Sequence, residues 1–134
     1  MLAFSKEWID ALAEILKKDE IYQKKASGFD SSYQFVVQAD PKKGIPADLA
    51  CGLNLPQCDQ TWIGIRKNTD YDMTAPIAVF HKIIRGKLGA VLAITTRKAR
   101  IQGNLARLLK YNGAINRFNQ ILQEIKTEFP GDYE

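Results

Sequence analysis

The 134-residue sequence predicts an α+β fold: a sheet of about five largely antiparallel strands covered on one face by helices. Three observations predict it. Apolar residues recur three and four positions apart near both ends of the chain, they alternate at period two through the middle, and turn residues separate the alternating runs. An N-terminal helix and a long C-terminal helix are then expected to enclose an apolar cavity against the sheet.

Phe4, Trp8, Leu12 and Ile15/Leu16 form the first stripe, with Ser5 placed to cap a helix over about 5–18. Asp19 is suited to cap a second, short helix through Ala26, with Gly28 available to end it. The period then becomes two. Tyr33, Phe35, Val37 and Ala39 alternate with Gln34, Val36 and Gln38, and Asp40-Pro41-Lys42-Lys43-Gly44 turns the chain. Ala47, Leu49, Cys51, Leu53 and Leu55 make the cleanest strand, a third covers about 59–66 and a fourth about 70–75. Short connections make the first strands antiparallel neighbours.

Pro76 suits the first turn of a helix whose stripe is Ile77, Phe80, Ile83 and Ile84, with Gly86 at its end. A short helix over about 88–96 and a brief strand at 98–102 follow, and Asn104 is placed to cap the last helix, about 104–128. There Tyr111, Ile115, Phe118, Leu122, Ile125 and Phe129 make one continuous stripe, extended backwards by Leu105, Leu108 and Leu109. Such a helix must lie on something apolar. Gly113 interrupts it, because glycine costs about 1 kcal/mol relative to alanine within a helix. No internal repeat, low-complexity tract or linker is present, so a single domain over 1–134 is expected.

Net charge is +4, unevenly distributed. Residues 76–123 hold nine basic side chains and no Asp or Glu. Such a block either meets something anionic or pairs with acids from the N-terminal half. Arg97-Lys98-Ala99-Arg100 is its one cluster, and aromatics interleave poorly with it, which argues against a nucleic-acid stacking platform. No run approaches the roughly 20 apolar residues of a membrane span. The opening lacks signal-peptide character, and the closing Gly131-Asp132-Tyr133-Glu134 is neither a peroxisomal address nor a prenylation signal. A cytoplasmic location is expected.

Catalytic and metal-binding constellations are scarce. His81 is the only histidine, so no histidine pair is available. Cys51 and Cys58 have the spacing of neither a metal pair nor a disulfide framework, and are read as reduced thiols of the core. Asp70 and Asp72 share a strand face and read as solvated. Gly86-Lys87-Leu88-Gly89 does not follow a strand, so it is no phosphate-binding loop. No catalytic residue, metal or cofactor is assigned.

What remains is apolar surface on three helical stripes facing a small sheet, a common setting for a small-molecule pocket. The cavity candidates are Phe35, Val37 and Met73 on the strands. The helices supply Phe80, Ile84, Leu88, Val91, Leu92, Leu105, Leu108, Ile115, Phe118 and Leu122. Arg97, Lys98, Arg100, Arg107 and Lys110 are candidates to contact an anionic head group or membrane surface.

Several passages carry a family resemblance. Residues 80–109 run from an apolar helix into Arg85-Gly86-Lys87-Leu88, a short helix, and Thr95-Thr96-Arg97-Lys98-Ala99-Arg100-Ile101-Gln102-Gly103-Asn104-Leu105. With the Trp8 helix, Ala26-Ser27-Gly28-Phe29 and Asp40-Pro41-Lys42-Lys43-Gly44, this resembles prokaryotic members of the sterol carrier protein (sterol-transfer, or unspecific lipid-transfer) domain family. The resemblance implies a five-stranded antiparallel sheet with helices on one side, enclosing a tunnel for sterols, fatty acids or acyl-CoA. It departs at Thr96, where the family usually turns on glycine, so that corner is expected to differ. The function implied is non-catalytic binding or transfer of a lipid-like ligand: fatty acid, acyl-CoA, sterol or isoprenoid. The alternative is a protein-interaction or regulatory subunit, or a homodimer, using the apolar C-terminal helix.

Overall fold

The computed structural model describes residues 1–130; the closing four residues discussed above for targeting signals lie outside them. Helix α1 spans Lys6–Lys18, and the Ser5 side chain accepts from the Trp8 amide at its N-terminus. Asp19 caps α2, Glu20–Lys25, in the same way through the Tyr22 amide. Strands β1 (Ser31–Val37), β2 (Leu49–Leu55), β3 (Thr61–Ile63) and β4 (Tyr71–Ala75) follow, with a 3-10 turn at Pro41–Lys43 that ends on the left-handed Gly44. Then come α3 (Ile77–Ile84), α4 (Ala90–Thr95), β5 (Arg100–Gln102), α5 (Leu105–Lys110) and α6 (Asn112–Glu124).

The strands form one five-stranded sheet in the order β3-β2-β1-β4-β5. Its pairings are antiparallel except β1 with β4, which is parallel and sets Phe35 opposite Met73. The expected sheet is therefore mixed at its centre. The chain leaves β3 at one edge and must cross β2 and β1 before it pairs as β4, and a crossing of that kind brings strands in parallel.

Period-two alternation divides the sheet into two faces. Tyr33, Phe35, Val37, Cys51, Leu53, Tyr71, Met73 and Ala75 lie on the face beneath the helices, where nearly all are buried. Gln34, Gly52, Trp62, Asp72, Thr74, Arg100 and Gln102 lie on the other. Segment 64–70 crosses that second face. Gln34 tethers it: the amide donates to the Arg66 carbonyl (3.3 Å) and to Asp72 (3.0 Å), and its oxygen accepts from Trp62 Nε1 (2.9 Å) and the Arg66 amide (2.8 Å).

The single long C-terminal helix is in fact two. Tyr111, at φ −102° and ψ 30°, ends α5 and begins α6, and the helical run stops at Glu124 rather than 128. Poor helix formers, Asn112 and Gly113, follow the break directly. Beyond it the chain becomes a strap: Met1 and Ala3 pair with Glu128, and Trp8 Nε1 donates to Thr127 Oγ1 at 3.1 Å. Arg117 holds α6 to the start of α2 through two bonds to Asp19, at 2.9 and 2.7 Å.

Candidate functional site

The buried face of the sheet and the helical layer do not close on each other completely. Between them lies a cavity of about 50 Å³. Phe4 and Trp8 reach it from the N-terminal segment, Tyr22 from α2, Phe29 from the loop after it, and Tyr33, Phe35, Leu55 and Met73 from the sheet. Phe80, Ile83 and Ile84 reach it from α3, Ala90 from α4, Leu108 from α5, and Tyr111, Ala114, Ile115, Phe118, Asn119 and Leu122 from the α5–α6 break and α6. Among the described residues no charged side chain lines it. The aromatic rings meet edge-on or tilted: Phe35 lies 6.1 Å from Phe118 and 6.2 Å from Phe80, and Phe4 lies 5.3 Å from Phe80.

Of the residues chosen from the sequence, Phe35, Met73, Phe80, Ile84, Leu108, Ile115, Phe118 and Leu122 meet around this space. Val37 is buried at the far end of β1 and does not line it. Leu88 and Val91 are only half-buried and stand outside the lining, while Leu92 is 55% exposed and Leu105 37% exposed. The phase of α4 explains the first group. It turns Ala90 and Ala93 inward, where small side chains allow close approach to α6, and so faces Leu92 outward. In α5 only Leu108 is buried, because the helix breaks at Tyr111 before a second apolar turn forms.

The lining residues missed in the sequence had unequal signals. Tyr33 shares the parity of Phe35, and Phe4 and Trp8 belong to the first stripe. Tyr22 sits in a helix of six residues, too short to show a period, so nothing in the sequence singled it out.

The five candidate cations are not brought together. Arg107 is committed to the core edge: it donates to Ser31 Oγ at 2.6 Å and lies 4.9 Å over the Phe29 ring. Arg100 stands on the open sheet face, beside Thr74 and Gln102. Arg97, Lys98 and Lys110 are exposed. Arg97 also carries the positive φ of 62° at the corner where Thr96 departs from glycine, so the left-handed residue is the one after it. Within the acid-free block, the Arg117–Asp19 pair shows that part of its charge serves the fold.

The cysteines are free and buried, and burial pushes the Cys51 and Cys58 thiols up to about 12. Asp70 accepts from the Ser32 backbone amide and Asp72 from the Gln34 side-chain amide, so both carboxylates are engaged in bonds that link β4 and the residues before it to β1. Among the described residues no cluster of His, Cys, Asp and Glu could hold a metal, and no helix is long and apolar enough to cross a membrane.

These features define an α+β protein that keeps an uncharged space between one face of a mixed sheet and a layer of helices. It has the sterol carrier protein fold. The chain is similar to a crystal structure of sterol carrier protein 2, at 24% identity and TM-score 0.84, over 92% of this chain and 98% of that one. A solution structure from Thermus thermophilus, described as a conserved hypothetical protein and a candidate sterol carrier protein, matches at 24% identity and TM-score 0.86, over 99% and 95%. A palmitated sterol carrier protein 2-like protein from Aedes aegypti matches at 14% identity and TM-score 0.58, over 81% and 94%. No family model and no curated protein sequence matches the chain.

Proposed function

We propose that this chain binds, and passes on, a lipid-like apolar molecule held between α3–α6 and the sheet, without catalysing a reaction. One observation carries the reading: 19 side chains from nearly every element converge on a space that none of them charges. Burying an acyl or isoprenoid chain there contributes about 0.8 kcal/mol per methylene. The sterol carrier and palmitated structures that share the fold support it. At about 50 Å³ the cavity is well below the roughly 300–1,000 Å³ of ligand pockets, so binding requires the helical layer to move outward. The break at Tyr111 is the place for such a movement, since no helical hydrogen-bond ladder runs unbroken through it.

Exposed Arg97, Lys98 and Lys110 are available to an anionic head group or membrane surface, within a cytoplasmic, single-domain carrier. The interaction-subunit alternative needs a free apolar face on the C-terminal helix. Phe118, Ile121 and Leu122 are buried within the chain, which leaves Leu105 and Leu109 of α5 as the exposed apolar residues of that stripe.

Native mass spectrometry of the purified protein, with solvent extraction and lipid analysis, tests the reading. A co-purifying lipid is expected. The variant Ala114→Leu, which adds volume at the cavity wall, is expected to lose it while remaining folded. A clean mass, together with no thermal shift on adding fatty acids, acyl-CoA or isoprenoids, would sink the carrier reading.

A further inference from the structure

Helix α4 is packed inside out. Its buried side chains are the small Ala90 and Ala93, while Leu92 is 55% exposed and Val91 only half-buried. Val91, Leu92 and Thr95 share the outward face at helical spacing, and the half-buried Leu88 leads into it. A surface helix ordinarily turns its larger apolar residues toward the core. Single exposed leucines need no explanation, but an apolar stripe turned outward does.

Both ends of this helix supply positive charge. The turn before it is closed by the Lys87 and Leu88 amides, which donate to the Lys82 carbonyl at 2.8 and 3.2 Å, and Lys87 is exposed. After it, the Lys98 and Ala99 amides return to the Ala93 carbonyl at 2.9 and 3.0 Å. That return sets the exposed Arg97 and Lys98 beside the last turn of α4. Arg97 holds a φ of 62°, which glycine adopts freely and other residues rarely do, so the corner keeps a cation at a conformational cost. Elsewhere in the acid-free block, Arg107 and Arg117 are committed to Ser31 and Asp19. Lys87, Arg97 and Lys98 form no ion pair among the described residues. An apolar strip with cations at both ends, in a stretch without Asp or Glu, is complementary to an extended anionic surface rather than to one anionic group.

Resting on the carrier reading above, we propose that α4 is the membrane-docking element of this chain. Leu88, Val91 and Leu92 enter an anionic bilayer, and Lys87, Arg97 and Lys98 hold its head groups. The inner side of the same helix supplies Ala90 to the cavity wall and packs on α6. Docking therefore sets a wall element at the lipid surface, where displacing one six-residue helix seated on two alanines opens a path for the ligand.

Leu92→Cys, labelled with an environment-sensitive maleimide dye, tests the orientation, since Cys51 and Cys58 are buried. Blue-shifted emission is expected with phosphatidylcholine vesicles containing phosphatidylserine, and little shift with phosphatidylcholine alone. In co-sedimentation with the anionic vesicles, Leu92→Glu is expected to lower affinity at least about tenfold. Arg97→Gly is expected to lower it about fivefold, the effect of one cation near such a surface, with thermal stability held because glycine suits the corner. Lys24→Gln, which removes an exposed cation of α2, should leave binding unchanged. Vesicle binding without a dye shift, or unaffected by Leu92→Glu, assigns the contact to another face and overturns the proposal. No binding to either vesicle overturns it too, and a concentration-dependent mass abolished by Leu92→Glu would then give the face to a second copy. A lipid that co-purifies under any of these outcomes leaves the carrier reading standing.

Discussion

The two faces of the sheet solve the same problem with opposite economy. On the open face a single residue, Gln34, spends its whole amide on Arg66 of the crossing segment, on Trp62 of β3 and on Asp72 of β4, and Trp62 lies so close over Gly52 that a β-carbon there would meet the ring at 2.3 Å. Arg66 in turn covers the indole at 4.0 Å. On the helix-covered face large rings meet tilted around residual space. Cores are normally packed to crystal-like density, so the looseness is confined to the face where a ligand would need it.

Adding a methyl group breaks the tight face most. Gly52→Ala would bring a β-carbon 2.3 Å from Trp62 and 2.7 Å from the Tyr33 carbonyl, and the second neighbour is backbone that cannot swing away. A loss of about 3 kcal/mol is expected by urea denaturation, at the upper end of ordinary overpacking. A cost below about 1 kcal/mol would show that the crossing segment yields and that the two faces differ less than their packing implies.

Asp19 joins the two helices that flank Tyr22 and Phe118. It caps α2 and holds Arg117 of α6, so Asp19→Ala is expected to cost about 1–2 kcal/mol through the lost cap alone. Hydrogen bonds from Arg117 first, and from the Tyr22 amide, hold its carboxyl below the usual range against the opposing effect of burial. A depressed folded pKa adds stability that is fully present above the unfolded value, about 3.9, and is lost as pH falls through the folded one. Acid is therefore expected to loosen the helical side below about pH 4, read as a lower urea midpoint. Asp19→Asn should flatten that step.

Most of this architecture could be read from the sequence because it is written locally. Ser5, Asp19 and Asn104 cap the helices assigned to them, and the alternation from Tyr33 to Val37 fixes which side chains face inward. The parallel β1–β4 pair could not be read, since it depends on where segment 64–70 crosses, and that is set by Gln34, distant in sequence. Leu92 and Leu105 were placed inward because leucine stripes normally are. Ala90 and Ala93 took that role in α4, and the break at Tyr111 reset the phase after α5.

On the loose face, Ala114→Leu is expected to cost within about 1 kcal/mol, because part of the added volume enters space already open. It is the counterpart of Gly52→Ala, and equal losses from both would mean that the cavity wall is as rigid as the crossing segment.

The smallest effect discriminates best, because it compares two buried tyrosines. Tyr71 donates to the Asn104 carbonyl at 2.9 Å, and Tyr71→Phe orphans no buried donor but deletes a made bond, at about 1 kcal/mol. Tyr22→Phe deletes a hydroxyl that bonds to nothing among the described residues, so stability should hold or rise by up to about 1 kcal/mol. The two rings are equally buried, at 1% exposure each, which leaves the hydroxyl's bonding as the variable. Parallel thermal and urea unfolding of the two variants measures it. A Tyr22→Phe loss matching that of Tyr71→Phe would mean that its hydroxyl has a partner in solution, an ordered water in the cavity being the obvious one. A rise in stability would mean that this hydroxyl contributes no bond to the fold, and that the difference between the two tyrosines lies in the bond Tyr71 makes.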